Sequence, residues 1–230
     1  MHINNQLNRQ EYVQEGEKIL NSLFTNSLPW TLDNHSTKIY NKDEPIYSIN
    51  EPSKHVFLVA EGRVKIGTTN DQNQTIVKYV IDPDEIFGEM ALTGELIRSE
   101  FAVSLEDNTK VCILSKEKII EMMDDNRDVS ENILQVLGAR IRKTENRLEA
   151  LIHKDARTRI IDFIRDLGVN KGKKVGFETM VKNYLTHKDI ASLTGTSRQT
   201  VTTVLNDLKE KNIINFDRRR ILIRDMDLLA

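Results

Sequence analysis

The sequence predicts an α+β chain: an N-terminal antiparallel β-roll or jelly roll (a double-stranded β-helix), one long helix, and a C-terminal winged helix-turn-helix. Three observations carry that prediction. Between Lys38 and Ser115, runs rich in β-branched and aromatic residues (HVFLVAEGRVKIGTT, TIVKYVI, EIFGEMAL, EFAVSL, KVCILS) alternate with NKDEP, EGR, NDQNQ and DPDE. Short strands spaced regularly by such turn chemistries build small barrels or double-sheet rolls. From about Asp128 to Lys154, Leu134, Leu137, Ile141, Thr144, Leu148 and Leu151 recur at alternating spacings of three and four, the a/d seam of a coiled coil. From Thr186 to Lys211, two amphipathic helical segments flank Gly195, and NIINFDRRRILI then reads as two short strands around a basic turn.

Taken in order, residues 9–25 place Tyr12, Ile19, Leu20, Leu23 and Phe24 at helical spacing and end before Pro29. The strand-rich stretch follows. Ser115 caps a short helix, SKEKIIEMM, and the long seam helix comes next. Asp155 opens DARTRIIDFIRDLG, a helix that Gly168 is expected to close, and KGKKVGFETMVKNYL supplies a basic loop and short strands. Thr186 caps the next helix, with Asp189 three residues on in a capping-box arrangement, and that helix runs to Leu193. Gly195 permits a left-handed turn. Ser197 caps a second helix whose apolar stripe is Val201, Val204, Leu205 and Leu208, with Arg198, Gln199, Thr202, Thr203 and Asn206 off the stripe. A plain helical hairpin with a solvated face has the same spacing; the two strands that follow favour the winged motif. The domain division is 1–125 for the roll, 126–154 for the long helix and 155–230 for the winged helix.

Composition narrows the function. With 39% hydrophobic and 30% charged residues in 230, the chain is that of a soluble globular protein. It has no run of 18 apolar residues and no signal-peptide pattern, which predicts a cytoplasmic protein with no membrane partner. The lone Cys112 excludes an internal disulfide, a Cys-ligated iron–sulfur cluster and a Cys-ligated structural zinc site, and its apolar neighbours predict a buried strand position. None of His2, His35, His55, His153 or His187 lies in a haem- or metal-binding motif. There is no P-loop, nucleophile elbow or HExxH, so no catalytic residue and no tightly bound cofactor is expected. A nucleotide-processing enzyme is the alternative from a different class, and a purely structural dimer a third.

The net charge of −2 is unevenly distributed: residues 1–154 carry 18 Lys and Arg against 25 Asp and Glu, whereas residues 155–230 carry 15 against 10. A polyanion therefore suits the C-terminal part. The free face of its second helix suits DNA bases: Arg198 can bridge guanine O6 and N7, Gln199 can pair with adenine N6 and N7, and the Thr202 and Thr203 methyls can touch thymine. Thr186, Ser197, Thr200, Arg218 and Arg219 are candidates for phosphates. A seam as regular as Leu134 to Leu151 pairs with a copy of itself, and a parallel homodimer matches an inverted-repeat operator on double-stranded DNA. The alternative is that the stripe packs on its own roll.

In this order of elements, and over nearly its whole length, the sequence resembles the CRP/FNR family of bacterial transcription regulators. The stretch FGEMALTGELIRSEFAVSLED, residues 87–107, is similar to the family's phosphate-binding cassette. LTHKDIASLTGTSRQTVTTVLNDLKEKNII, residues 185–214, is similar to its DNA-reading element, and VFLVAEGRVKI to its early strand pair. The resemblance implies an effector-controlled, DNA-binding regulator that also meets RNA polymerase. In members that bind cyclic AMP, a Gly-Glu pair meets the ribose and cyclic phosphate, an Arg-Ser pair holds the phosphate, and a Thr-Ser pair on the long helix meets the adenine. Gly88 and Glu89 match the first, Arg98 and Ser99 the second, and Thr144 the threonine of the third, with Glu145 in place of its serine. The implied effector is 3',5'-cyclic AMP or another small anion; the alternative is a regulator of this type that needs no ligand. The cassette is one residue shorter than in cyclic-AMP binders, and Glu100 follows Ser99, placed by strand alternation on the side of Arg98. In the DNA element, Gln199 and Thr203 replace a glutamate and an arginine of cyclic-AMP-type members.

Overall fold

The structure is a computed structural model that describes residues 36–72, 74–217 and 219–229. The helix expected over residues 9–25, together with His2, His35 and Arg218, lies outside the described residues. Two compact units are formed, one up to Ile66 with Val80–Thr144 and one of Gly67–Tyr79 with Glu145–Ala230.

Among the described residues the roll is built from eight strands: β1 (Ser36–Tyr40), β2 (Pro45–Tyr47), β3 (His55–Glu61), β4 (Val64–Thr69), β5 (Thr75–Ile81), β6 (Ile86–Phe87), β7 (Phe101–Ser104) and β8 (Thr109–Ser115). They form two four-stranded sheets, β1-β8-β3-β6 and β2-β7-β4-β5; the pairings within the first sheet and between β2 and β7 are antiparallel. Four consecutive residues of β3, from Val56 to Val59, are buried, so this strand is covered on both faces. Phe57 packs with Tyr47 of β2 and Phe87 of β6, ring centroids 5.4 and 4.9 Å away, which ties the two sheets together from inside. Val56 and Leu58 point the other way. They join Ile86, Ala91, Cys112 and Leu114 in a cluster with Ile119, Val129 and Ile133 of the helices that follow. Cys112 is the buried strand residue its neighbours implied.

A 3-10 turn, Glu89–Thr93, follows β6, and Ser115 caps α1 (Lys116–Asp125) by accepting from the Lys118 amide. The long helix α2 runs Arg127–His153, with Val136 and Leu137 packed against the roll cluster.

The C-terminal part contains α3 (Ala156–Lys171), β9 (Lys173–Val175), β10 (Glu178–Lys182), α4 (His187–Thr194), α5 (Arg198–Glu210), β11 (Ile214–Phe216) and β12 (Arg220–Ile223). Its sheet order is β11-β12-β10-β9. The two strands expected after α5 are present, joined by β9 and β10 in one antiparallel sheet. Asp155 caps α3 as its position implied, but the helix passes through Gly168 and ends at Lys171. Gly168 serves close approach instead: a Cβ there would lie 2.6 Å from the Ile223 side chain and 2.9 Å from Met226, so the missing side chain lets α3 lie against the sheet. Ile160, Ile164, Ile190, Val201, Leu205, Leu208, Ile214 and Ile223 fill the core. Among the described residues no helix is long and apolar enough to cross a membrane.

Candidate effector pocket and nucleic-acid interface

The cassette runs from the end of β6 to the start of β7. Glu89 sits at the head of the 3-10 turn with only 3% of its surface exposed. Burial raises its pKa, opposed by the charge of Arg140. Arg140, on α2, approaches Glu89 Oε1 at 2.8 Å through Nη1 and donates to the Ile86 carbonyl at 2.6 Å through Nη2. The second carboxylate oxygen, Oε2, is buried without a hydrogen-bond partner. Glu89 is therefore held by the long helix, with one of its acceptors unsatisfied.

Arg98 is equally buried, at 3%. Its guanidinium lies 4.4 Å from the Tyr47 ring centroid and 5.7 Å from that of Phe57, a flat aromatic bed that suits a delocalised cation. Burial pushes the Tyr47 phenol above its ordinary value, partly offset by Arg98. Arg98 donates from Nη1 to the Gly88 carbonyl at 3.0 Å and from Nη2 to the His55 carbonyl. Its Nε is buried without a partner. Residues 98–100 precede β7, which starts at Phe101, so strand alternation is not what places Glu100; its charge nonetheless acts together with that of Arg98 on both Tyr47 and Glu89, which keeps it on the side of Arg98. An isolated bridge, Pro52 to Ile97, anchors the segment instead.

An acid in ion-pair range of Arg98 that sequence reasoning did not single out is Glu95. Its Oε1 accepts from the Ser99 amide at 3.1 Å and the Ser99 hydroxyl at 2.7 Å; its Oε2 accepts from the Ser53 hydroxyl at 3.0 Å and lies 3.8 Å from Arg98 Nη1. These are the donors that the cassette would offer a phosphate. Burial alone would raise the Glu95 pKa, but the Ser99 and Ser53 hydrogen bonds and the Arg98 charge outweigh it and hold the carboxyl below its ordinary value. An anion brought to the same donors would be repelled by the Glu95 carboxylate. Thr144 is exposed, and its hydroxyl donates back to the Arg140 carbonyl at 2.9 Å. Glu145 is exposed and belongs to the other compact unit. The structure thus groups Gly88, Glu89, Arg98 and Ser99 in the cassette.

In the C-terminal unit, Thr186 and Asp189 form the complete capping box. Both donors of Thr186 go to Asp189 Oδ2, the amide at 2.9 Å and the hydroxyl at 2.6 Å. Thr186 is therefore a helix cap, with its amide and hydroxyl both engaged by Asp189. Gly195 ends α4 with φ 63 and ψ 42, and Arg159 of α3 donates to the carbonyls of Thr194 and Gly195 at 2.8 and 3.0 Å. Arg159 fixes the turn between the helices; its partners, some 35 residues on, hid it from sequence reasoning. Ser197 caps α5, accepting from the Thr200 amide at 3.0 Å, and its hydroxyl meets that of Thr200 at 2.8 Å.

The stripe Val201, Val204, Leu205 and Leu208 is buried, and Arg198, Gln199 and Thr203 are exposed. Thr202 is half-buried, its hydroxyl donating to the Arg198 carbonyl at 3.0 Å and lying 2.9 Å from His187 Nδ1. Burial and the Arg198 charge hold His187 below its ordinary pKa. Arg219 is exposed in the turn between β11 and β12, where Asp217 accepts from the Arg219 and Arg220 amides at 2.7 and 3.0 Å. On α2, Leu134, Ile141, Leu148 and Leu151 are exposed, whereas Leu137 packs on the roll. Among the described residues, no group of His, Cys, Asp or Glu could hold a metal ion.

Comparison with known proteins agrees with this architecture. The cyclic nucleotide-binding domain family matches residues 37–126, and the Crp-like helix-turn-helix domain family matches residues 158–230. The chain is 27% identical to the cyclic AMP receptor protein of Thermus thermophilus over 94% of its own length and 96% of that protein. It is 28% identical to the global nitrogen regulator of Synechocystis over 81% and 83%. The solved structure of FixK2 from Bradyrhizobium japonicum, 22% identical, superposes with a TM-score of 0.74 over 85% of this chain and 95% of that one, a likeness of fold. With a cyclic nucleotide-binding domain ahead of a Crp-like helix-turn-helix, and regulators as its relatives along nearly the full length, the chain belongs to the CRP/FNR family of bacterial transcription regulators.

Proposed function

We propose that the chain works in the cytoplasm as a homodimer that binds an inverted-repeat operator on double-stranded DNA. One α5 enters each half-site, the roll is a small-molecule sensor, and RNA polymerase is a further partner. Residues 1–125 are the sensor, 126–154 the dimerisation helix and 155–230 the DNA-binding part. One observation carries the reading: the free face of α5 presents Arg198, Gln199 and Thr203 to solvent while the opposite stripe is buried, the disposition of a helix that reads a major groove. The exposed a/d positions of α2 support the dimer, since pairing them removes apolar side chains from water. Ser197, Thr200 and Arg219 are the phosphate contacts. Gln199 and Thr203 give a half-site unlike that of cyclic-AMP-type members.

Selection of bound duplexes from random DNA tests this. The expected product is an inverted repeat with an altered half-site, bound by a dimer in sedimentation. Recovery of no palindrome, or of the unaltered cyclic-AMP-type half-site, would sink it.

A second reading of the roll is favoured by the Glu95 contacts: a regulator whose pocket takes no nucleotide. Operator affinity measured with and without cyclic AMP and cyclic GMP separates the two, a nucleotide-driven change supporting the sensor as first stated.

A further inference from the structure

We infer that Glu95 is the specificity-determining residue of the cassette, an internal anion seated where an effector's anionic group would bind, so that phosphate-bearing ligands must displace it to enter. The inference rests on the reading of the roll as a sensor and names the class of ligand the sensor disfavours.

The contacts on one carboxylate are those of an oxyanion site. Ser99 gives it an amide and a hydroxyl on one oxygen, Ser53 a hydroxyl on the other, and Arg98 a guanidinium at 3.8 Å. Three strands of evidence make this a built arrangement. The donors come from separate parts of the chain, Ser53 lying 42 residues from Glu95. The backbone is tied at the same place, the Ser53 amide donating to the Leu96 carbonyl at 2.9 Å and the Glu95 amide to the Met90 carbonyl at 3.2 Å. The guanidinium is buried and turned to the carbonyls of Gly88 and His55, with Nε alone unpartnered. A phosphate brought to Ser99 would meet an ionised carboxylate at hydrogen-bond distance from the same donors, and like charges that close exclude each other. A neutral or cationic group reaching the unpartnered Oε2 of Glu89 meets no such conflict.

The test is calorimetric titration of the full-length protein, wild type, Glu95→Ala and Glu95→Gln, with cyclic AMP and with inorganic phosphate. Glu95→Ala vacates the donors; Glu95→Gln keeps an acceptor for Ser99 and removes the charge. We expect Glu95→Ala to bind cyclic AMP at least about tenfold more tightly than wild type, a difference of about 1.4 kcal/mol, with Glu95→Gln between them. Equal or tighter binding by wild type overturns the inference, as does the absence of binding by all three proteins. Should Glu95→Ala lose its cooperative melt, the comparison of Glu95→Gln with wild type decides alone, a gain of threefold or more being the expected result and no gain overturning it. Operator binding by the same samples is read in parallel. Its loss in the wild type would sink the regulator reading and leave the role of Glu95 standing.

Discussion

The Glu89 carboxylate shows how one buried charge ties a helix to a sheet. Removing it from water raises its pKa, and Arg140 offsets that cost with a 2.8 Å contact to one oxygen. A carboxyl whose folded pKa is raised supports the fold most below its ordinary value of 4.5 and loses that support as the pH climbs through the folded value. Taking away the arginine enlarges the rise and leaves a buried charge uncompensated at neutral pH. Arg140→Ala is therefore expected to destabilise the roll by about 3 kcal/mol near pH 7.5, with the deficit narrowing toward pH 5. Glu89→Gln, which never ionises, lacks that contribution, so its deficit relative to wild type should move the other way and shrink as the pH rises from 5 to 7.5. Urea unfolding at both pH values measures this; an Arg140→Ala deficit independent of pH would mean that the carboxylate does not depend on that cation.

At the scale of elements, the parts that local chemistry fixes were legible in the chain. Ser115, Asp155, Thr186 and Ser197 each stand where a helix begins and accept from an amide three residues on, a signal contained in four consecutive residues. The β-branched runs became the strands of the roll, and the stripe of α5 is buried throughout. Features set by distant partners were not legible. Gly168 looked like a stop because glycine often follows a helix, yet its reason is the Ile223 side chain 55 residues later. Arg98 and Ser99 could be matched to a cassette, but Glu95 acquires its place through Ser53 and the fold of the whole segment. Gly195 is a case where local and distant reasons coincide: φ is 63, and a Cβ would lie 2.5 Å from Leu151 Cδ2. Gly195→Ala should cost the C-terminal unit about 1–2 kcal/mol from the left-handed backbone alone, measured by urea unfolding. A change below a few tenths would show that the turn relaxes into another conformation.

For the molecule as a whole, the division of charge separates two jobs. The acidic N-terminal portion repels a polyanion, while the C-terminal portion, with 15 basic against 10 acidic residues, attracts one. Affinity for any duplex then comes mainly from released counterions, and discrimination from the few side chains that reach base edges. Arg198 and Arg219 stand on opposite sides of that division: both are exposed, the first at the start of α5 and the second in the turn between β11 and β12. Two variants, tested in the proposed dimer, separate the terms. Arg219→Ala should weaken every duplex alike and lower the slope of log affinity against log salt by about one per protomer. Arg198→Ala should cost about 1–3 kcal/mol on the selected operator and relax one base position in each half-site, because a bidentate guanine contact is lost. Binding isotherms on operator and on random duplex, at several salt concentrations, measure both. If the two variants changed slope and discrimination in the same way, the free face of α5 would be a phosphate contact and base reading would have to reside elsewhere.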